Sequence, residues 1–152
     1  MLSEVPKMIG MRVLIADDHD LVCEALAAFL RGEGVVEVAT VPTLDDAIRA
    51  VDENGSFDLV LLDYNMPGMN GLEGLSQMIA ANDRCPVAIL SGNVSRGVAE
   101  QAIKAGAAGF VPKTMSSRSM VSAVRFMAAG EIYAPFNLMQ TSDTGAGNLS
   151  QR

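Results

Sequence analysis

The sequence predicts an α/β protein built on a doubly wound, five-stranded parallel sheet, and three observations predict it. Five short apolar runs alternate with longer segments whose apolar residues recur at helical spacing. Three of those runs lack a strict polar beat, which suits strands covered on both faces. The polar residues that demand explanation gather at the carboxyl ends of four of the five runs, the end at which open parallel sheets build their sites.

Taken in order, "RVLIA" (12–16) is the first strand and "LVCEALAAFLR" (21–31) the amphipathic helix after it. "VVEVAT" (35–40) keeps a polar alternation and suits an edge strand. Thr43 is placed to cap the next helix, "TLDDAIRAVDE", because its hydroxyl can accept one of the free N–H groups of a first turn. "DLVLL" (58–62), "PVAIL" (86–90) and "GFVPK" (109–113) are the remaining strands, with helices at about 95–105 and 117–129 on either side of the last. Five strands and five helices result. Past "AAGEIYAP", the stretch "QTSDTGAGN" (140–148) loses periodicity and turns small and polar, as a flexible linker does.

At 152 residues and 49% apolar content the chain can bury a real core. Eighteen acids against eleven bases give a net charge of −7, and the bases do not cluster, so no footprint for a nucleic-acid backbone is visible. The first ten residues carry Glu4 and Pro6 where a secretory signal needs an apolar stretch, and no run approaches the roughly 18 residues of a membrane span. A cytoplasmic location with no membrane partner is expected. Cys23 and Cys85 lack metal-ligand spacing and read as small reduced core residues, and the ten methionines read as core filler.

The expected strand ends fall near residues 17, 41, 63, 91 and 113, which places Asp17, Asp18, Asp63, Ser91 and Lys113 at one sheet edge. With strand order 2-1-3-4-5, strands one and three are neighbours at the point where the order reverses. Asp17, Asp18 and Asp63 then converge. Like charges raise one another's pKa unless a cation compensates them, so the cluster asks for a metal, and oxygen ligation without thiolate or imidazole clusters is what Mg²⁺ prefers. Lys113 adds a fixed positive charge and Ser91 a hydroxyl donor, which together describe a pocket for a phosphoryl group attacked by a carboxylate.

Each feature also has a plainer reading. Asp17, Asp18 and Asp20 could serve the positive end of the first helix, "DYNMPGMNGLEG" could be only a turn, and Lys113 could be a solvated charge. His19 reads as an exposed residue at a helix start. The shared position at one sheet edge is what these readings leave unexplained.

As a set, "DDH" after strand one, "DYNMPGMNG" after strand three, "SG" after strand four and "GFVPK" at strand five resemble the receiver domain of two-component response regulators, the CheY-like family with a flavodoxin-like (βα)5 fold. The resemblance covers about residues 11–130 and sets a receiver domain at 11–135, with a linker at 136–152. It implies that Asp63 is the phosphoacceptor, charged by a sensor histidine kinase or phosphotransfer protein. It also implies that Asp18, Asp63 and the backbone carbonyl of Asn65 hold Mg²⁺ directly while Asp17 acts through water. Ser91 and Lys113 match the hydroxyl and lysine that hold the phosphoryl oxygens, and Phe110 matches the aromatic switch. Such a domain accepts and slowly releases its own phosphoryl group and is not a multiple-turnover enzyme on an external substrate.

"AVRFMAAGEIYAP" and the closing "LSQR" are similar to the NarL/FixJ (LuxR-type) exit toward a helix-turn-helix domain, which implies homodimerisation on activation and DNA contact only through that further domain. A receiver acting alone through protein contacts would share the same chemistry. Lys113 is followed by Thr114 and preceded by Pro112, a departure from the receivers that place Pro after the lysine, and Ser91 stands where Thr is commoner. One rival class fits a shorter pattern. "DHDLV" (18–22) matches the D-x-D-x-[TV] pattern of haloacid-dehalogenase-like phosphohydrolases, which would make Asp18 the nucleophile, Asp20 the acid and Thr40 a phosphate contact.

Overall fold

In the computed structural model, which describes residues 10–35, 37–93 and 95–134, strands and helices alternate strictly. β1 (Arg12–Ala16), α1 (Asp20–Gly32), β2 (Glu37–Val41), α2 (Leu44–Asn54), β3 (Leu59–Asp63), α3 (Leu72–Ala81), β4 (Val87–Ser91), α4 (Arg96–Lys104), β5 (Gly109–Pro112) and α5 (Ser117–Ala128) follow one another along the chain. The sheet is parallel with order β2-β1-β3-β4-β5. Both the topology and the count of elements match the sequence reading. The expected linker at 136–152 lies outside the described residues.

Alternation along the strands sorts the core into two layers. Val13, Ile15, Leu59, Leu61, Leu90 and Val111 face Cys23, Leu26 and Leu30 of α1 and Met120, Val124 and Met127 of α5. Leu14, Ala16, Val60, Leu62, Ile89 and Phe110 belong to the opposite layer, closed by Leu44 and Val51 of α2, Leu75 and Met78 of α3 and Ala99 and Ala102 of α4. A strand buried on both faces has no use for a polar beat, so β3 and β4 read as continuous apolar runs. β2, at the sheet edge, is exposed or half-buried at four of its five positions and keeps the beat.

Three helices open on the expected kind of cap: Thr43 accepts the Asp46 N–H, Ser95 the Val98 N–H and Ser116 the Ser119 N–H. α1 and α3 differ, because their N-caps are His19 and Gly71 and no side chain caps either.

The strand boundaries differ from the sequence reading by a residue or two. β3 and β4 start one residue later and end one later, at Asp63 and Ser91, because both polar residues still pair in the ladder, Asp63 with Leu90 and Ser91 with Pro112. β2 runs from Glu37 to Val41 instead of 35–40, in register with Arg12 to Ala16. β5 stops at Pro112, and the Lys113 N–H still reaches the Ser91 carbonyl at 2.9 Å. Asp58 stays outside β3 because its carboxylate accepts the Arg12 N–H at 2.8 Å, while the Arg12 guanidinium sits 4.4 Å from the Phe57 ring centroid.

After α5 the chain returns to the sheet. Tyr133 forms a parallel bridge with Gly109, donating its N–H to Ala108 and accepting that of Phe110. Gly109 is required there, since a Cβ would lie 2.8 Å from the Tyr133 carbonyl oxygen and 2.5 Å from Met127 Sδ.

One fully buried polar residue anchors the opposite end of the sheet. Asn82 accepts the Phe57 N–H at 2.8 Å through Oδ1 and donates to the Phe57 carbonyl at 3.0 Å through Nδ2. Asn82→Ala strands both backbone groups in a dry core, where each lost partner costs about 1–3 kcal/mol. The urea midpoint should fall by the equivalent of about 2–4 kcal/mol. A shift within 0.5 kcal/mol, roughly the scatter of ordinary surface substitutions, would mean that water takes the amide's place.

Candidate functional site

The carboxyl edge of the sheet gathers the charges. β1 delivers Asp17, whose N–H is held by the Val41 carbonyl of β2 at 2.9 Å. Its neighbour β3 ends on Asp63, β4 ends on Ser91, and Lys113 follows β5 directly. Asp17 and Asp63 are each 1% exposed, and Ser91 is 2% exposed. Asp18 is exposed beside them.

Lys113 Nζ lies 2.9 Å from Asp17 Oδ2 and 3.2 Å from Asp63 Oδ2, with its side chain only 12% exposed. The reading of Lys113 as a solvated charge is therefore wrong: the strand end aims it at the acids. The contact is one of charge, because neither Oδ2 atom meets a donor with hydrogen-bond geometry. The other carboxylate oxygens are satisfied locally, Asp17 Oδ1 by the His19 N–H at 2.9 Å and Asp63 Oδ1 by the Asn65 N–H at 3.2 Å.

This arrangement splits the two buried acids. Burial works to raise the Asp17 pKa, yet Lys113 and the backbone and ring N–H groups of His19 outweigh it and bring it below the usual carboxylate value. Burial raises the Asp63 pKa and the charge on Asp17 adds to it, against the opposing Asn65 N–H and Lys113, so Asp63 ends above the usual value. For Lys113, desolvation is overcome by the two carboxylates, which hold the ammonium charged. Cys23, one turn into α1, donates its thiol to the Asp17 carbonyl at 3.2 Å. Burial and the charges of Asp17 and Asp20 push that thiol up to about 11, so it is an inert prop for the acidic loop.

His19 is where the sequence reading fell short. It does start the helix and its side chain is 60% exposed, but Nδ1 reaches back over the acids, 2.8 Å from Asp17 Oδ1, 3.4 Å from Asp18 Oδ1, 3.7 Å from Asp63 Oδ2 and 3.1 Å from Lys113 Nζ. Its place two residues after a buried acid was visible in "DDH"; the side-chain rotamer was not. The capping alternative for the aspartates also fails for Asp17 and Asp18, which precede the N-cap, and holds only for Asp20 in the first turn.

Ser91 stands at the same edge, but its hydroxyl is turned into its own loop, donating to the Asn93 carbonyl at 3.0 Å and accepting the Asn93 N–H at 3.1 Å. Phe110, on β5 three residues before Lys113, is fully buried in the layer closed by α2, α3 and α4. Asp18 and Asp20, the pair demanded by the phosphohydrolase reading, are both exposed, and Thr40 lies on edge strand β2 paired with Ile15. The buried, charge-paired acids are Asp17 and Asp63, and the hydrolase reading is not favoured.

A doubly wound sheet of order 2-1-3-4-5 with paired acids and a lysine at its switch point defines a CheY-like domain. The response regulator receiver domain profile matches residues 13–125, and the chain belongs to that family. It is 37% identical over 142 residues to the glycerol metabolism activator of Pseudomonas putida, covering 92% of this chain and 64% of that protein. It is 33% identical over 125 residues to the transcriptional activator protein ExaE of the same organism, covering 81% of this chain and 58% of that one. The chain thus spans about three fifths of the length of these relatives. Among solved structures, the receiver domain of the putative response regulator NarL from Mycobacterium tuberculosis superposes with a TM-score of 0.70 at 29% identity, covering 80% of this chain and 98% of that one. A LuxR family DNA-binding response regulator from Silicibacter pomeroyi gives 0.70 at 28%, covering 82% and 96%. Among the described residues no helix is long and apolar enough to cross a membrane.

Proposed function

We propose that Asp63 is the residue of this receiver that accepts a phosphoryl group, from a phosphohistidine on a sensor histidine kinase or phosphotransfer protein. The observation that carries the reading is the buried Asp63 Oδ2, 3.2 Å from Lys113 Nζ and without a hydrogen-bond partner, at the sheet's switch point. Such an oxygen is free to attack phosphorus: the new O–P bond forms as the donor's P–N bond breaks, and the histidine departs with the electron pair. Lys113 then neutralises a phosphoryl oxygen. Asp17 keeps its charge through Lys113 and His19 and stays an anion beside the reaction.

The donors also fit Mg²⁺. Asp17 and Asp63 each present a buried carboxylate oxygen lacking a hydrogen-bond partner, and Asp18 adds an exposed one. Asp18, Asp63 and the Asn65 carbonyl would hold the ion, with Asp17 acting through water. When bound, Mg²⁺ supplies charge neutralisation for the phosphoryl oxygens.

Adding about two negative charges to Asp63 gives the Ser91 hydroxyl a stronger acceptor than the Asn93 carbonyl it now serves. Leaving that loop bond frees space beside β4, and Phe110 registers the change as a shift between two packings of the face formed by α4, β5 and α5. Readout runs through homodimerisation and, as the relatives named transcriptional activators suggest, through a helix-turn-helix DNA-binding domain joined beyond the linker at 136–152. The domain turns over only its own phosphoryl group, in the cytoplasm.

Incubation with acetyl phosphate, with and without Mg²⁺, tests the reading by intact mass, followed by borohydride trapping and peptide mapping. One Mg²⁺-dependent phosphoryl group on Asp63 is expected. Label on Asp18 with continued turnover would overturn it in favour of a hydrolase, and the absence of label would mean that the fold signals without phosphate.

A further inference from the structure

The chain contains two Asn-Gly steps, Asn54-Gly55 and Asn70-Gly71, and the fold treats them differently. An asparagine followed by glycine carries its own reaction partner, because the next backbone nitrogen can close on the side-chain amide carbon and glycine has no Cβ to obstruct it. Closure needs a free backbone nitrogen, a side chain able to turn, and room for the backbone to move.

Asn54-Gly55 is denied all three. Asn54 is the last residue of α2, its amide donates to the Ala50 carbonyl at 3.0 Å, and its own carbonyl accepts from Arg12 Nη2 at 3.0 Å. The Gly55 N–H is bound to the Val51 carbonyl at 2.8 Å. The nucleophile there is held in the helix end.

Asn70-Gly71 is the reverse case. Asn70 is exposed, lies between β3 and α3, and adopts φ 54°, a left-handed conformation that asparagine tolerates better than most side chains. The N–H of Gly71, the N-cap of α3, meets no acceptor among the described residues. The Asn70 side chain is held by a single surface bond, Nδ2 donating to Glu73 Oε1 at 2.8 Å.

We propose that Asn70 is a site of spontaneous intramolecular modification, converting through a succinimide with Gly71 to aspartate and isoaspartate. The Gly71 nitrogen attacks Asn70 Cγ; the new N–C bond forms as the Cγ–Nδ2 bond breaks, and the Gly71 proton departs with the amide nitrogen as ammonia. Water then opens the ring at either carbonyl, so one water is consumed, one ammonia is released and nothing is oxidised or reduced. Both products place a carboxylate where Nδ2 had donated, facing Glu73 across a lost bond. Isoaspartate also routes the main chain through Cβ and lengthens it by one bond. The surroundings leave little slack for that: Met69 is 1% exposed, its carbonyl accepts the Gly74 N–H at 2.8 Å, and a Cβ on Gly74 would lie 2.6 Å from the same oxygen. The isoaspartyl product therefore strains the start of α3, which the aspartyl product does not.

The test is incubation of the full chain in mildly alkaline buffer at physiological temperature, beside a sample kept unfolded in urea. Peptide mapping reads the gain of about one dalton per event, and labelling by an isoaspartate O-methyltransferase locates the rearranged residue. In the folded chain Asn70 should convert on the order of tenfold or more faster than Asn54, because Asn54-Gly55 must first release its bonds to Ala50, Arg12 and Val51. In urea the two steps should convert at similar rates. The isoaspartyl fraction, separated by ion exchange, should melt below Asn70→Asp, which carries the same added charge on an ordinary backbone. Equal rates in the folded chain, or an Asn70 that persists there while the urea sample converts, would overturn the proposal. An isoaspartyl fraction as stable as Asn70→Asp would overturn the strain assigned to the longer backbone.

Discussion

Asp63→Asn should take up no phosphoryl group and yet be more stable than its parent. The first half follows from chemistry, since an amide oxygen is too poor a nucleophile to displace a phosphoryl group from its donor. Labelling by acetyl phosphate should fall by about 100-fold or more, to background. The second half follows from electrostatics. Burial and the charge on Asp17 hold the Asp63 pKa above its ordinary value, so the ionised carboxylate costs the fold stability wherever it is charged. Asparagine keeps the shape and the acceptor for the Asn65 N–H while removing that charge, and Lys113 keeps Asp17 at 2.9 Å. A gain of about 1–2 kcal/mol at pH 7, or roughly 3–8 °C in Tm, is expected. The sign with pH is fixed as well. A carboxyl with a raised folded pKa penalises the fold above that pKa, and the penalty is relieved as pH falls toward the ordinary carboxylate value. The advantage of the variant should therefore shrink on acidification. Strong labelling of the variant would remove Asp63 from the chemistry, and a loss of stability would show that its ion pair with Lys113 outweighs burial.

The sheet was legible in the sequence because burial on two faces leaves a strong mark. Apart from Arg12 at the start of β1 and the terminal Asp63 and Ser91, the positions of β1, β3 and β4 are apolar with no alternation. What a count of apolar residues cannot detect is a polar residue kept in the ladder, so Asp63 and Ser91 appeared to follow their strands when they end them. The site was legible for a different reason. Parallel order brings the carboxyl ends of β1, β3, β4 and β5 to one edge, so four separated positions could be placed together from topology alone. The details that depend on rotamers were not legible. Whether Ser91 bonds to its own loop or to the acids, and whether the His19 ring leans outward or over Asp17, is decided by torsions about single bonds. Asn82 left no mark because a lone buried amide has no periodicity; its bonds to Phe57 join residues 25 positions apart.

Lys113→Met should destabilise the fold strongly at neutral pH and weakly in acid. Methionine fills nearly the same volume and removes only the ammonium, leaving two buried carboxylates facing each other without a resident cation. Breaking one side of a buried pair costs about 3–5 kcal/mol. Lys113 retains some solvent contact, so about 2–4 kcal/mol, or roughly 8–15 °C in Tm, is expected at pH 7. In the parent, the lowered Asp17 pKa contributes stability above the ordinary carboxylate value, lost as pH falls through the folded pKa. The raised Lys113 pKa contributes stability at low and neutral pH, lost as pH rises through its folded value. In the variant the lysine's contribution is gone and Asp17 keeps only its hydrogen bonds from His19, so the pKa values of both acids rise and the deficit should grow as pH climbs above the carboxylate range and close as they protonate. Divalent cation should substitute for the missing charge. Millimolar Mg²⁺ should raise the Tm of the variant by more than that of the parent, since a ligand that binds the native state stabilises it in proportion to its affinity. Thermal denaturation across pH, with and without Mg²⁺, separates this account from a packing defect: methionine misfit would lower Tm equally at every pH and would not respond to the ion.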